Sequence, residues 1–157
     1  MATRSPKHWL RPLALLALSA PAAIGCEPAY VSTSAPEDLT FELVCEPTSS
    51  ATGQGPGLRI DLAFAGGARQ YALGCQHRAE LLSRLQSVAD LWCDGIPVSP
   101  QRVGGLVVGS TTSELTRKRG ATIDDGQGYT VFQCDDWLPK LVTMLTRTSC
   151  CGPLAPG

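Results

Sequence analysis

Alternation of apolar and polar side chains predicts strands soon after residue 38. Residues 39–45 place Leu39, Phe41, Leu43 and Cys45 on one face, which is typical of a half-buried strand. Residues 58–64 alternate in the same way, and Gly66-Gly67 then suits the positive φ angles of a two-residue hairpin turn. We therefore expect a β-hairpin whose register joins apolar residues on one face: Leu62 with Tyr71, Ile60 with Leu73, and Leu58 with Cys75.

Two segments have the 3.6-residue repeat of amphipathic helices. The first covers residues 77–92 and stops before Gly95 and Pro97. The second begins at Asp136, an N-cap residue type, with Pro139 tolerated in its first turn. The apolar stripes are Leu81, Leu82, Leu85, Val88, Ala89 and Trp92 in the first helix, and Trp137, Leu138, Leu141, Val142 and Leu145 in the second.

The order of these elements predicts an α+β fold. Further strands are expected at 103–110 and 129–134, with a short strand at 121–123 inside a polar segment. Strands followed by helices in this order favour a mostly antiparallel sheet with two helices on one face. We assign residues 38–151 to this single domain and expect residues 152–157 to form a loose tail.

The first 25 residues have the pattern of an export signal. A basic start with Arg4, Lys7 and Arg11 is followed by the apolar run 13–25, which ends on small residues. A membrane-spanning helix takes about 20 apolar residues, which is more than this run provides. We therefore predict that residues 1–25 are a signal peptide and not a membrane-spanning helix.

The end of this leader resembles the lipobox of bacterial lipoproteins. Ile24 and Gly25 stand directly before Cys26. The resemblance implies that Cys26 becomes the first residue, that its thiol takes a diacylglycerol, and that its amine takes a fatty acid such as palmitate. Several acyl chains together hold a protein firmly on a membrane, here on a face outside the cytoplasm, with residues 26–37 as a tether. Ordinary cleavage near Ala20-Pro21-Ala22 or Ala23 is the alternative and would release a free secreted protein.

The other six cysteines are an even number, which predicts three disulfides in an oxidising compartment. A helix of about 16 residues would hold Cys75 and Cys93 more than about 20 Å apart, whereas the Cα atoms of a disulfide lie within about 7 Å. The second helix separates Cys134 from Cys150 and Cys151 in the same way, and a bond between those two neighbours would be strained. Six connectivities remain open. In each of them Cys134 pairs with one of the residues Cys45, Cys75 and Cys93, and Cys150 and Cys151 pair with the remaining two. A redox-active Cys150-Cys151 pair is the functional alternative.

The charge balance argues against a nucleic-acid partner. The chain has 13 basic and 14 acidic side chains, and the charged residues of the leader are all basic, so the mature domain is acidic. Such a domain has no general attraction to nucleic acid or anionic lipid. The basic cluster Arg117-Lys118-Arg119 is expected to be a solvated loop.

Neither a metal site nor a cofactor site is predicted. Zinc sites favour closely spaced Cys and His pairs, and the chain has no C-x-x-C. Gly104 and Gly109 have the spacing of a phosphate-binding loop, but Ser110 stands where that loop needs lysine, so we expect a strand. Asp124-Asp125-Gly126 lacks the oxygen spacing of an EF-hand loop and predicts a hairpin turn.

Candidate catalytic groups are equally sparse. His77 is the imidazole left after the leader, and no G-x-S-x-G motif accompanies it. Asp135-Asp136 suits a helix N-terminus, while Trp92 and Trp137 lie on apolar stripes and are expected in the core. Our leading hypothesis is therefore a non-enzymatic, lipid-anchored module that has an interaction or envelope-associated role. The sequence does not identify its partner, for which an extracytoplasmic protein is the candidate. A protease inhibitor that uses the loop 116–120 is the alternative, and an exported enzyme comes third.

Overall fold

The computed structural model describes residues 31–32, 39–112 and 117–154. Within these ranges the chain forms eight strands and two α-helices, so the predicted α+β class is confirmed. The helices are α1, Arg78–Ser87, and α2, Trp137–Arg147. The strands are β1 Val31–Ser32, β2 Thr40–Glu46, β3 Gly57–Phe64, β4 Gly67–Gly74, β5 Gln101–Val103, β6 Leu106–Thr112, β7 Arg119–Asp124 and β8 Tyr129–Gln133.

The strands are divided between two sheets. The larger sheet has the order β1-β8-β7-β6-β5 and is antiparallel except for the parallel pair of β1 with β8. The smaller sheet has the order β2-β3-β4 and is antiparallel throughout. A buried hydrogen bond of 2.8 Å between Tyr71 Oη and Thr130 Oγ1 joins β4 to β8. The two sheets therefore share one core.

The hairpin of β3 and β4 forms, but the predicted register is wrong by two residues. Phe64 pairs with Gly67, so the turn residues are Ala65 and Gly66. Ile60 consequently faces Tyr71, and Leu58 faces Leu73. Because side chains alternate with a period of two, a shift of two residues keeps the same set on the core side. The buried face is therefore the predicted one, although each partner is different.

The predicted strand at 103–110 is interrupted. Val103 pairs with Leu106, and Gly104 has a φ of +59°, which is a left-handed conformation that glycine adopts readily. The apolar run therefore folds back on itself as the hairpin of β5 and β6. The strand expected at 121–123 is longer than predicted and covers all of β7.

Both helices pack on the larger sheet and on each other, since α1 contacts β6 and α2, and α2 contacts β8. A 3₁₀ turn at Cys75–His77 precedes α1, and a π-helical segment at Val88–Trp92 follows it. Together these three segments cover the predicted helix 77–92. The helix stripes are largely in the core, with these leucines fully buried: Leu81, Leu85, Leu138, Leu141 and Leu145.

Asp136 occupies the N-cap position of α2, as predicted, but it does not cap the helix through its side chain. Its side chain makes no capping hydrogen bond. Its Oδ2 instead lies 3.7 Å from Lys118 Nζ. The carboxylate therefore connects the start of α2 to the residues just before β7.

Three disulfides join the six cysteines of the domain, which confirms the prediction of a disulfide-bonded fold. The pairs have Cα–Cα distances of 5.2, 5.1 and 5.8 Å, in the order Cys45–Cys150, Cys75–Cys151 and Cys93–Cys134. This connectivity is one of the six that the helix lengths leave open. Two bridges fasten the segment after α2 to the smaller sheet and to the turn that follows it.

Arg78 holds the same segment from the other side. This first residue of α1 is only 3% exposed, and its guanidinium donates five hydrogen bonds to four backbone carbonyls. These are Leu145 at 2.9 and 3.1 Å, Thr148 at 3.1 Å, Cys150 at 3.0 Å and Gly152 at 2.6 Å. Carbonyls at a helix C-terminus have no partner within the helix and attract cations, so Arg78 completes the end of α2.

Two parts of the predicted domain boundaries look different in the structure. The predicted tether 26–37 contains β1, which is hydrogen-bonded to the larger sheet. The predicted tail begins at Gly152, whose carbonyl binds Arg78, and Leu154 packs against the core. Described residues on both sides of the range 38–151 therefore contact the domain.

Candidate binding groove

A groove of about 540 Å³ opens between the beginning of β2 and one flank of α2. Such a volume lies within the range of pockets that bind small molecules or side chains. The walls are mainly apolar, and they are formed by Leu39, Thr40, Phe41, Trp137, Pro139, Lys140, Thr143 and Met144.

The position of the groove follows from the two elements beside it. Trp137, Lys140 and Met144 are three or four residues apart on α2, so they lie along one flank of the helix beside its buried stripe. On the strand side, Leu39, Thr40 and Phe41 are consecutive. Successive side chains of a strand point to opposite faces, so the groove meets β2 along its edge.

Aromatic packing fixes the floor of the groove. The Phe41 ring stands edge-on to Phe132 at a centroid distance of 5.7 Å and to Trp137 at 5.4 Å. Edge-to-face pairs at these distances are favourable beyond the area they bury. Phe132 is fully buried and Trp137 is 6% exposed. Packing against the core therefore holds the rings in place.

Lys140 gives the groove a positive rim. Its Nζ lies 4.5 Å from the centre of the Trp137 ring, a cation–π distance. Thr40 and Thr143 are the hydroxyl-bearing residues among those that line the groove. Beside the apolar side chains, the polar groups of the lining are therefore one ammonium and two hydroxyls.

One group with a shifted pKa lies elsewhere, on the smaller sheet. Arg59 Nη1 is 2.7 Å from Glu46 Oε1, and Arg59 Nε is 2.5 Å from Asp61 Oδ1. Burial alone raises the pKa of Glu46, but hydrogen bonds from Ser50 and Arg59 outweigh it and hold this pKa below its usual range. Ion-pair networks shift pKa values without any catalytic role, and this one stabilises the pairing of β2 with β3.

A second shifted group is also structural. Burial raises the pKa of Tyr71 to about 12, and the hydrogen bond to Thr130 lowers it only in part. Tyr71 is 1% exposed, so its hydroxyl is out of reach of a substrate. Its role is to join the two sheets.

The candidate catalytic and metal-binding residues His77, Asp124 and Asp125 lie in separate local structures. His77 ends the 3₁₀ turn, and its Nδ1 lies 3.6 Å from the Glu80 carboxylate. Asp124 and Asp125 accept backbone N–H groups of Gly126 and Gln127 at 2.7 and 2.9 Å, as in a hairpin turn. In the described parts of the chain, no three His, Cys, Asp or Glu side chains are grouped so that they could hold a metal ion.

The glycine-spaced segment is a hairpin followed by a strand. Gly104 lies in the turn between β5 and β6, and Gly109 lies inside β6. A phosphate-binding loop would lead into a helix, whereas β6 continues as far as Thr112.

The basic cluster is only partly a solvated loop. Arg117 is exposed with a φ of +53°, but Arg119 belongs to β7 and its guanidinium lies 5.3 Å from the Trp92 ring centre. Proteases bind substrate-like loops in an extended conformation, and the φ of Arg117 is not extended. Residues 113–116, which include part of the suggested inhibitory loop, lie outside the described residues.

Sequence reasoning missed the groove itself. Phe41 and Trp137 each belong to an apolar pattern and were expected in the core, where both partly lie. The available signal was weak: Lys140 and Thr143 place polar groups beside the apolar stripe of α2. No local pattern shows that this flank faces β2.

Cys26 and the rest of the leader lie outside the described residues. Among the residues that are described, no helix has the length and apolarity needed to cross a membrane. The three disulfides are consistent with a location outside the cytoplasm, where thiols are oxidised.

Comparison with known proteins gives no further guide to the ligand. Scans against known protein families, characterised proteins and solved structures each found no match. The functional interpretation therefore rests on the groove, the disulfides and the leader.

Proposed function

We propose that this protein is an exported, lipid-anchored binding module without catalytic activity, and that it holds a protein segment in the groove between β2 and α2. The groove carries the proposal because its walls are mainly apolar and aromatic packing holds them in place. The leader supports export, and the resemblance at Cys26 supports lipid anchoring. The remaining six cysteines are all paired, which leaves Cys26 available for acylation.

The shape of the groove favours an extended peptide as the partner. Within the described residues β2 pairs only with β3, so it is the outer strand of the smaller sheet. An extended peptide can add to such an edge through main-chain hydrogen bonds, while alternate side chains enter adjacent pockets. Here those side chains would be apolar, because Phe41, Trp137 and Met144 surround them.

The binding test uses the mature protein and a display library of short random peptides. We expect enrichment of peptides with alternating apolar residues. The Thr143→Arg variant fills the groove with a charged side chain and should lose these peptides. Thr146→Arg is the matched control, because Thr146 is exposed on the same helix and does not line the groove. Equal retention of the enriched peptides by both variants would refute the groove as the binding site.

The anchoring test is an intact mass measurement on protein extracted from membranes. We expect a chain that begins at Cys26 and carries the mass of three acyl groups, with no thiol alkylated before reduction. A chain that begins before Cys26, or that carries no lipid, would refute lipid anchoring and leave the groove proposal standing.

A further inference from the structure

We infer that the anchored domain has a fixed orientation on the membrane, in which the turn between β7 and β8 faces the membrane and the basic residues 117–119 face away from it. This inference rests on the proposed lipid anchor at Cys26. It depends on β1, because Val31 pairs with Thr130 and Ser32 with Val131 in a parallel arrangement. The chain therefore enters the larger sheet at the end where β8 begins.

The topology identifies the turns at that end. Asp124 pairs with Tyr129, so the turn 125–128 lies beside the entry point of β1. Val107 pairs with Asp124, which places the Gly104-Gly105 turn before β6 at the same end of the sheet. Tyr129 is 37% exposed there, and tyrosine is well suited to the boundary between lipid and water.

The opposite end carries a different set of groups. β7 begins there with Arg119, next to Trp92. The neighbouring residues Leu91 and Ile96 are large apolar side chains with exposed fractions of 42% and 55%. A basic and apolar surface of this kind attracts membranes in proteins without an anchor. An orientation with this end on the bilayer is therefore the competing expectation.

The length of the tether decides between the two orientations. Cys26 and Val31 are five residues apart, so an extended chain between them reaches at most about 18 Å. Val31 lies level with Ile123, because both pair with Thr130, and the four residue steps from Ile123 to Arg119 span about 13 Å. With the basic end on the bilayer, Val31 would stand at least that far from the surface, and the tether would use most of its reach to span this distance. With the turn 125–128 toward the bilayer, the tether has a shorter distance to span. More conformations of the tether are then possible, and its entropy favours this orientation.

In this orientation the groove lies on the side of the domain that faces away from the membrane. α2 begins just after β8 ends, and the end of β8 is far from the entry point of β1. Trp137 and Lys140 therefore lie toward the end of the domain that faces away from the membrane. An extended partner would reach the groove from the aqueous side.

The test uses the full-length exported protein, purified with its lipid and reconstituted into phosphatidylcholine–phosphatidylglycerol vesicles that carry a headgroup quencher. Gln127→Cys and Arg117→Cys each add one exposed thiol for a fluorescent label. We expect the label at 127 to be quenched several-fold more than the label at 117. Equal quenching, or stronger quenching at 117, would overturn the orientation.

A second variant, with a longer tether, tests whether the length of the tether sets the orientation. Inserting about 12 Gly and Ser residues after Pro28 should remove most of the quenching difference, because the tether then reaches around the domain. A difference that persists would show that the tether does not set the orientation, which contradicts the inference. Intact mass on the same samples tests the anchor: unacylated protein overturns both proposals, whereas acylated protein with equal quenching overturns only the orientation.

Discussion

Replacing Arg78 with methionine keeps much of the side-chain volume but removes the guanidinium that binds the end of α2. The four acceptors are backbone carbonyls, so no other side chain has to change. Arg78 is 3% exposed, and water cannot replace it without opening the structure. The substitution therefore isolates the contribution of one buried cation to the segment that follows α2.

The expected loss follows from the carbonyls left without a donor. A hydrogen bond to a charged group contributes about 1.5–3 kcal/mol, but simple addition of five overestimates the effect because removing the guanidinium also removes its desolvation cost. The hydrogen bonds to Leu145 and Cys150 are buried, whereas those to Thr148 and Gly152 are only partly buried. Two buried carbonyls at about 1–3 kcal/mol each give a loss of about 4 kcal/mol. Arg78→Lys keeps the charge but has fewer donors, so we expect a loss of about 2 kcal/mol.

The measurement is the free energy of unfolding in guanidinium chloride with the disulfides intact, followed by circular dichroism. Arg102→Met is the control, because Arg102 is exposed in β5 and its replacement removes the same charge. We expect Arg102→Met to lie within about 0.5 kcal/mol of the wild type. If Arg78→Met unfolds within 1 kcal/mol of this control, the carbonyls do not depend on Arg78 and the reasoning is refuted.

Three further predictions concern the two sheets and a disulfide. Replacing both Cys93 and Cys134 with alanine removes a bridge across 41 positions, and loop entropy predicts a loss of about 4 kcal/mol in unfolding free energy; a loss below 1 kcal/mol would contradict it. The fold lowers the pKa of Glu46, so its ionised carboxylate stabilises the folded protein at a pH above the pKa that Glu46 has in the unfolded chain. This stabilisation is lost as the pH falls through the lower pKa that Glu46 has in the folded protein. Glu46→Gln should therefore lose less stability than the wild type between pH 7 and pH 3, and an unchanged pH dependence would disprove this. Tyr71→Phe leaves the buried Thr130 hydroxyl without its partner and should cost about 1–2 kcal/mol, most of which Thr130→Val in the same chain should restore; losses that simply add in the double variant would exclude the bond as their cause.

The helices and the buried faces of the strands could be predicted because each depends on local periodicity. The stripe from Leu81 to Trp92 ends before Gly95, where the structure also leaves the helix. The hairpin register could not be predicted because Ala65-Gly66 and Gly66-Gly67 both permit a two-residue turn. The two turns give strand pairings that differ by two residues, so both place the same side chains on the buried face and the apolar–polar alternation cannot distinguish them. The break at Gly104-Gly105 was missed because apolar residues continue on both sides of it.

The groove and Arg78 could not be predicted because their partners are distant in sequence or carry no side-chain signal. Phe41 and Trp137 meet at a ring distance of 5.4 Å, although nothing near either residue indicates the other. Arg78 binds only backbone carbonyls in the described structure, and every residue has one. From the sequence, a cation inside a predicted helix cannot be told from an ordinary surface residue, and only the packing of α1 against α2 reveals its role.

The position of Cys150 and Cys151 near the end of the domain determines when two of the three disulfides can form. Both residues follow every strand and helix described, and their partners lie 105 and 76 positions earlier. In a chain that emerges from its N-terminal side, Cys45 and Cys75 must wait as free thiols until the segment after α2 arrives. During that interval they can form a wrong bridge with each other or with Cys93, and exchange reactions must then undo it. A catalyst of disulfide exchange would therefore speed the folding of this domain, and a chain cut short within α2 would leave Cys45 and Cys75 without their native partners.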